Sequence, residues 1–173
     1  MKALRTTFIL SIVIGMAGAV STLAQQAGFS DPNVEYRFDV PDAKWKMTVK
    51  PSVTSPNVEY VFGDRNDGHL EVRKLSVAKT SAWPDIISRE EDKLRFREGY
   101  IAGRDEIFRG NLEGRAFNFE YTKGGRPASG RFYFLRADDT TIYVLRFTGY
   151  TDKLKMIRNQ TDSIARTFTV KKA

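Results

Sequence analysis

Histidine occurs once in this chain, at position 69, and cysteine does not occur at all. Without a thiol, cysteine catalysis is excluded. A serine–histidine–acid arrangement would have to use His69, and no Gly-x-Ser-x-Gly surrounds any serine. His69 follows Gly68 at the mouth of a polar turn, where a solvated histidine is expected. Asp64, Asp67 and His69 share that turn, and three such ligands could hold a divalent ion. Yet Gly63-Asp64-Arg65-Asn66-Asp67-Gly68 is equally the composition of a tight connection. It lacks the Asp-x-Asp-x-Asp-Gly and distal Glu of a calcium loop. Glu90-Glu91 and Asp105-Glu106 are neighbours in sequence, and that spacing does not turn them into a common cleft. Gly124-Gly125 between Lys123 and Arg126 is not a phosphate loop, which needs Gly-x4-Gly-Lys-Ser/Thr ahead of a helix. No catalytic, cofactor-binding or metal-ligating residue is assigned, and the protein is expected not to be an enzyme and to carry no cofactor.

The arginines at 109, 115, 126, 131, 136 and 146 carry more chemistry. Arg131 and Arg136 bracket an aromatic run and Arg146 lies on the next one. With Tyr133 they form the candidate partner-binding set Arg131, Tyr133, Arg136 and Arg146. Arginines among aromatics on a sheet resemble a single-strand nucleic-acid platform. The export signal described below makes nucleic acid an unexpected partner, and the basic balance favours acidic ones, such as anionic lipid, polyanions or an acidic protein face. The competing account is that arginine stems cover aromatic surface while their heads stay in water.

These side chains need a scaffold, and Gly130 to Val170 supplies its centre. Arg131–Arg136 and Thr141–Thr148 are rich in β-branched and aromatic residues, with Ala137-Asp138-Asp139-Thr140 as the turn between them. Alternation puts Phe132, Phe134 and Arg136 on one side of the first arm and Arg131, Tyr133 and Leu135 on the other. In the second arm Ile142, Val144 and Arg146 oppose Tyr143, Leu145 and Phe147. Both faces are mostly apolar, so this hairpin is expected to be covered on both sides. After Gly149 the period changes. Leu154, Ile157, Thr161, Ile164, Ala165 and Phe168 make one face of a helix, with Thr151 or Asp152 as its N-cap.

Upstream, strands are expected at Tyr36–Val40, Trp45–Val49, Val58–Phe62 and Leu70–Val77, the last two joined by the turn 63–68. A surface helix begins near Pro84 and stops at Gly99, with Trp83, Ile87 and Leu94 as a narrow apolar stripe. Short strands follow at Arg104–Phe108 and Glu113–Tyr121, then an exposed loop at Lys123–Pro127. Consecutive strands joined by short turns argue for an α+β domain with an antiparallel sheet and helices packed on both faces, an α/β/α sandwich.

Residues 1–24 read as a secretory signal. Lys2 and Arg5 start it, Phe8–Val20 is its apolar core, and Thr22-Leu23-Ala24 suits cleavage. The core is shorter than the roughly 20 apolar residues of a spanning helix. Cleavage would leave 173 − 24 = 149 residues, and losing two cations takes the formal charge from +7 to +5. Residues 25–33 are expected to be a flexible leader and 34–170 a single domain. A periplasmic or secreted location follows from the signal.

Several strings carry a family resemblance. They are Tyr36-Arg-Phe-Asp-Val-Pro41 followed by Trp45, Gly114-Arg-Ala-Phe-Asn-Phe-Glu-Tyr121, and Thr140-Thr-Ile-Tyr-Val-Leu-Arg-Phe147 leading to a helix and a last strand at Phe168-Thr-Val170. On these, residues 34–170 resemble the PsbP/Mog1-like superfamily and its exported bacterial members. The resemblance implies the Mog1/PsbP fold and a non-enzymatic binding or accessory role toward a protein or other partner in the cell envelope. It implies no shared active site, so no residue takes a role from it. The alternative expectation is a carrier of a small ligand or lipid, with an apolar pocket between the C-terminal helix and the sheet. Its motive is the 12 phenylalanines of so small a chain.

Overall fold

The computed structural model describes residues 27–171, so the secretory signal expected at 1–24 lies outside the described residues. The elements are β1 (Ala27–Ser30), β2 (Tyr36–Val40), β3 (Trp45–Val49), β4 (Val58–Phe62), β5 (Asp64–Ser76), α1 (Trp83–Asp92), β6 (Ile101–Arg109), β7 (Glu113–Lys123), β8 (Arg126–Arg136), β9 (Thr141–Tyr150), α2 (Thr151–Met156), α3 (Arg158–Thr167) and β10 (Thr169–Val170). The protein is α+β. Seven strands form one antiparallel sheet in the order β3-β4-β5-β9-β8-β7-β6, and β1-β2-β10 form a small second sheet. The central hairpin is β8–β9, paired Tyr133↔Leu145 and Phe134↔Val144. Asp138 closes its turn by accepting the Thr140 backbone N–H at 2.8 Å.

Alternation divides the core in two. Phe132, Phe134, Ile142 and Val144 join Ile86 and Ile87 of α1, Leu94 just beyond it, and Phe117 and Phe119 of β7. Tyr133, Leu135, Tyr143, Leu145 and Phe147 join Leu154, Ile157, Ile164 and Ala165 of the C-terminal helices and Phe29, Tyr36, Phe38 and Phe168. The hairpin is thus buried on both faces, and burying each large apolar side chain contributes about 1.5–3 kcal/mol.

The apolar stripe of α1 is narrow, and a ladder of alternating charge completes its docking. From β9, Arg146 donates to Glu71 of β5. Arg73 lies 3.1 Å from the other oxygen of Glu71 and donates to Glu90 of α1 at 2.6 Å. Lys93 closes the row, 2.6 Å from Glu90. Only 2% of the Glu90 side chain is exposed. Burial pushes its carboxyl up, but the hydrogen bonds from Lys93 and Arg73 outweigh that and hold it below the ordinary range.

The structure corrects four local expectations. The leader is not loose throughout, because Ala27–Ser30 pairs with β2 and Phe29 stacks on Phe38 with ring centres 4.8 Å apart. The turn expected at 63–68 narrows to Gly63, whose φ is +67°. β5 begins at Asp64 and bulges before regaining register at His69↔Val61. Helix α1 ends at Asp92 rather than Gly99, giving way to turns that carry Leu94 into the core. The C-terminal helix breaks at Ile157 (φ −103°, ψ 13°). Ile157 is buried there, against the bare backbone of Gly68. Beyond the break, Gln160 of α3 accepts the Trp45 indole N–H at 2.9 Å.

Candidate functional site: a basic cleft on the long sheet

On β9, Ile142 and Val144 lie in the cluster that α1 joins, and further along the same face Arg146 and Thr148 emerge beyond it. There they line a cleft of about 320 Å³ with Arg65 and His69 of β5, Tyr121 and Lys123 of β7, and Arg97 and Glu98 from the turns after α1. Those turns are pinned to β7 by a bond from the Thr122 N–H to the Glu98 carbonyl, at 2.7 Å. The Arg97 guanidinium sits 4.7 Å over the Tyr121 ring, a cation–π contact that holds a long side chain in place.

Four full cations, Arg65, Arg97, Lys123 and Arg146, face one lining carboxylate, Glu98. Arg65 is held by Glu59 at 2.6 Å and Arg146 by Glu71. Lys123 donates to the neutral Asn66 amide at 2.8 Å. Among the described residues, no carboxylate stands within 4.0 Å of Arg97 or Lys123. The Arg146 Nε–H is buried and has no acceptor among the described residues. A buried donor without an acceptor is costly.

His69 forms the inner wall and is 7% exposed. Its Nε2 lies 2.8 Å from Glu59, which fits an Nε2–H donating to that carboxylate. Burial lowers its pKa and outweighs the opposing pull of Glu59, so the ring is neutral at pH 7. Burial also raises the Tyr121 phenol, against the pull of Arg97 and Arg146, so its hydroxyl stays protonated.

The four residues of the expected partner-binding set do not meet on one surface. Arg131 and Tyr133 lie on the α2–α3 side. Tyr133 is fully buried, and Arg131 is 8% exposed beside it. Arg136 and Arg146 share the α1 side, but Arg136 stacks 4.6 Å over the Trp83 ring near the opposite end of β8–β9. Only Arg146 lines the basic cleft. By local spacing Arg65 belongs to a turn, Arg97 to a helix end and Lys123 to a loop. Their convergence needs strand pairings that local spacing does not encode.

The solvated turn expected for His69 is corrected: it is a buried strand residue. Asp64 accepts the N–H groups of Asn66 at 2.6 Å and Asp67 at 3.1 Å, while His69 turns to Glu59. Among the described residues no three histidine or acidic side chains converge as a metal site.

A second cleft, of about 250 Å³, lies between α2–α3 and strands β7 and β8. It occupies the place expected for an apolar pocket, and although most of its lining residues are of polar type, the surface they present is mostly apolar. The phenylalanines are used elsewhere: nine of them are buried in the two core clusters.

No protein-family model matches the sequence, and no curated protein matches it. Solved structures do match. The Ran-binding protein Mog1p of Saccharomyces cerevisiae is similar with a TM-score of 0.61 at 10% identity, over 84% of this chain and 95% of that one. CyanoP, the cyanobacterial PsbP of Synechocystis, is similar with a TM-score of 0.57 at 16% identity, over 91% and 98%. LpqN of Mycobacterium tuberculosis, described as involved in cell envelope biogenesis, is similar with a TM-score of 0.56 at 15% identity, over 86% and 91%. The fold is PsbP/Mog1-like, as the sequence resemblance implied. Among the described residues no helix is long and apolar enough to cross a membrane.

Proposed function

We propose that this is an exported, non-enzymatic binding or accessory protein that holds an acidic protein partner of the cell envelope through the basic cleft. The observation that carries this reading is the convergence of Arg65, Arg97, Lys123 and Arg146 around a single lining carboxylate, with a buried Arg146 donor unmatched. Such a cleft attracts an acidic surface and selects against a basic one. The fold likeness adds context: Mog1p is by name a Ran-binding protein, and LpqN is described as involved in cell envelope biogenesis. Export rests on the basic, apolar and small-residue pattern of residues 1–24. The scaffold is read as a layered α/β/α sandwich, a reading supported by the assignment of α1 to one core cluster and α2 and α3 to the other.

The test is capture from cross-linked cell envelope, read by mass spectrometry, with the wild type beside an Arg97→Glu/Lys123→Glu variant. Both residues lie outside the core, so the variant should keep its circular dichroism and melting point. One protein with an acidic surface should be enriched by the wild type and lost by the variant. Equal enrichment by both would remove the cleft from the interface. The mass of the captured bait should also correspond to a chain beginning at Gln25, and an intact Met1 would overturn signal cleavage.

A further inference from the structure

The second cleft lies on the other face of the long sheet and shares no residue with the first. Its floor is the backbone around the Phe119↔Gly130 pair, whose side-chain positions turn toward α1. Arg131 is its fixed cation, only 8% exposed. Its Nε–H donates to the Tyr133 hydroxyl at 2.8 Å and its Nη1 donates to the side-chain amide oxygen of Asn118 at 2.7 Å. Both acceptors are neutral. A guanidinium carries five N–H donors, so 5 − 2 leaves three without a hydrogen bond among the described residues. The nearest carboxylates, Glu106 and Asp162, stand 3.6 Å away, beyond hydrogen-bond range. Asp162 already accepts the Tyr133 hydroxyl.

The helical wall adds Lys155 and Arg158. Among the described residues neither has a carboxylate within 4.0 Å. Ser129 and Thr161 supply hydroxyls, and Glu120 is the single acid of the lining. At about 30 Å³ of liquid volume per water, the cleft takes roughly eight water-sized groups. That is room for a small molecule and too little for a two-chain lipid.

We infer that this cleft binds a small organic oxyanion, a carboxylate or phosphate group on a short body. Arg131, flanked at 3.6 Å by Glu106 and Asp162 outside the cleft, is its one nearly buried cation, and Lys155 and Arg158 supply unpaired charge at the rim. The site is separate from the partner-binding reading, and each can fail alone.

Nuclear magnetic resonance titration of the purified protein with hexanoate, inorganic phosphate and hexylamine tests it. One or both anions should shift the amides of Ser129, Gly130, Leu154 and Lys155, and hexylamine should not. Stronger binding of hexanoate identifies an organic acid, and stronger binding of phosphate identifies a phosphoryl group. Lys155→Glu and Arg158→Glu, both on exposed helical positions, should each weaken the anion by about tenfold, as expected for loss of a charge-assisted contact. Arg97→Glu/Lys123→Glu should leave the titration unchanged. Absence of shifts with both anions, equal binding of hexylamine, or wild-type affinity in both reversal variants would overturn the site.

Discussion

Gly130 and Phe119 face each other across β7 and β8, and the ring of Phe119 occupies the space a side chain at 130 would need. A Cβ there would fall 2.1 Å from the ring. Gly130→Ala should therefore destabilise by about 1–3 kcal/mol, the usual cost of overpacking a filled core, visible as a lower denaturant midpoint at unchanged slope. The sequence shows Gly130 only as the start of a hairpin, and nothing local says that a ring lies over it. His69 is a second case. Its pKa is lowered by burial, so the folded state binds its proton less readily than the unfolded chain does. The resulting stability is fully present above the unfolded value of about 6.5 and is lost as pH falls from there through the folded value. His69→Gln should flatten that part of the stability–pH curve. The sequence put His69 in solvent because Gly63–Gly68 has the composition of a turn, and the bulge that makes it a strand arises from pairing with β4.

At the scale of elements, the ladder Arg146–Glu71–Arg73–Glu90–Lys93 does for α1 what its narrow apolar stripe does not do alone. Glu90 is its buried member, and removing it leaves Arg73 facing Glu71 alone while Lys93 loses its carboxylate. Glu90→Ala should cost about 3–5 kcal/mol, as for breaking a buried ion pair from one side. Hydrogen exchange should show the amides of residues 83–92 opening first. The hairpin β8–β9 and its two-faced burial were legible, because period-two alternation states both faces outright. The ladder was not, because its members are drawn from strands and a helix that meet only after folding. The break at Ile157 was hidden for a similar reason. The apolar period runs on through it, and only the seat of Ile157 against Gly68 and the grip of Trp45 on Gln160 distinguish two helices from one.

At the scale of the molecule, the small sheet is fastened to the long one through Glu35, which accepts from Lys74 of β5 at 2.5 Å and from the Tyr143 hydroxyl of β9. The Lys74 hydrogen bond, then that of Tyr143, holds the Glu35 carboxyl down at about 2 from an ordinary 4.5. A lowered carboxyl gives stability that is present above the unfolded value and lost as pH falls through the folded one, so this fastening weakens between about 4.5 and 2. Glu35→Gln should blunt the acid limb of unfolding over that range. The fold class was legible from the order of elements and from packing strings such as Tyr36–Pro41. The small sheet was not, since β10 has two residues and pairs with a partner 132 positions away. That pairing has a consequence in time. β2 is flanked by β1 on one side and by β10 on the other, so the earliest strands of the fold wait for the last. This layer cannot be finished until Thr169 and Val170 are in place, and until then Tyr36 and Phe38 lack the ring of Phe168. The small layer closes like a clasp, its early strands held by its last.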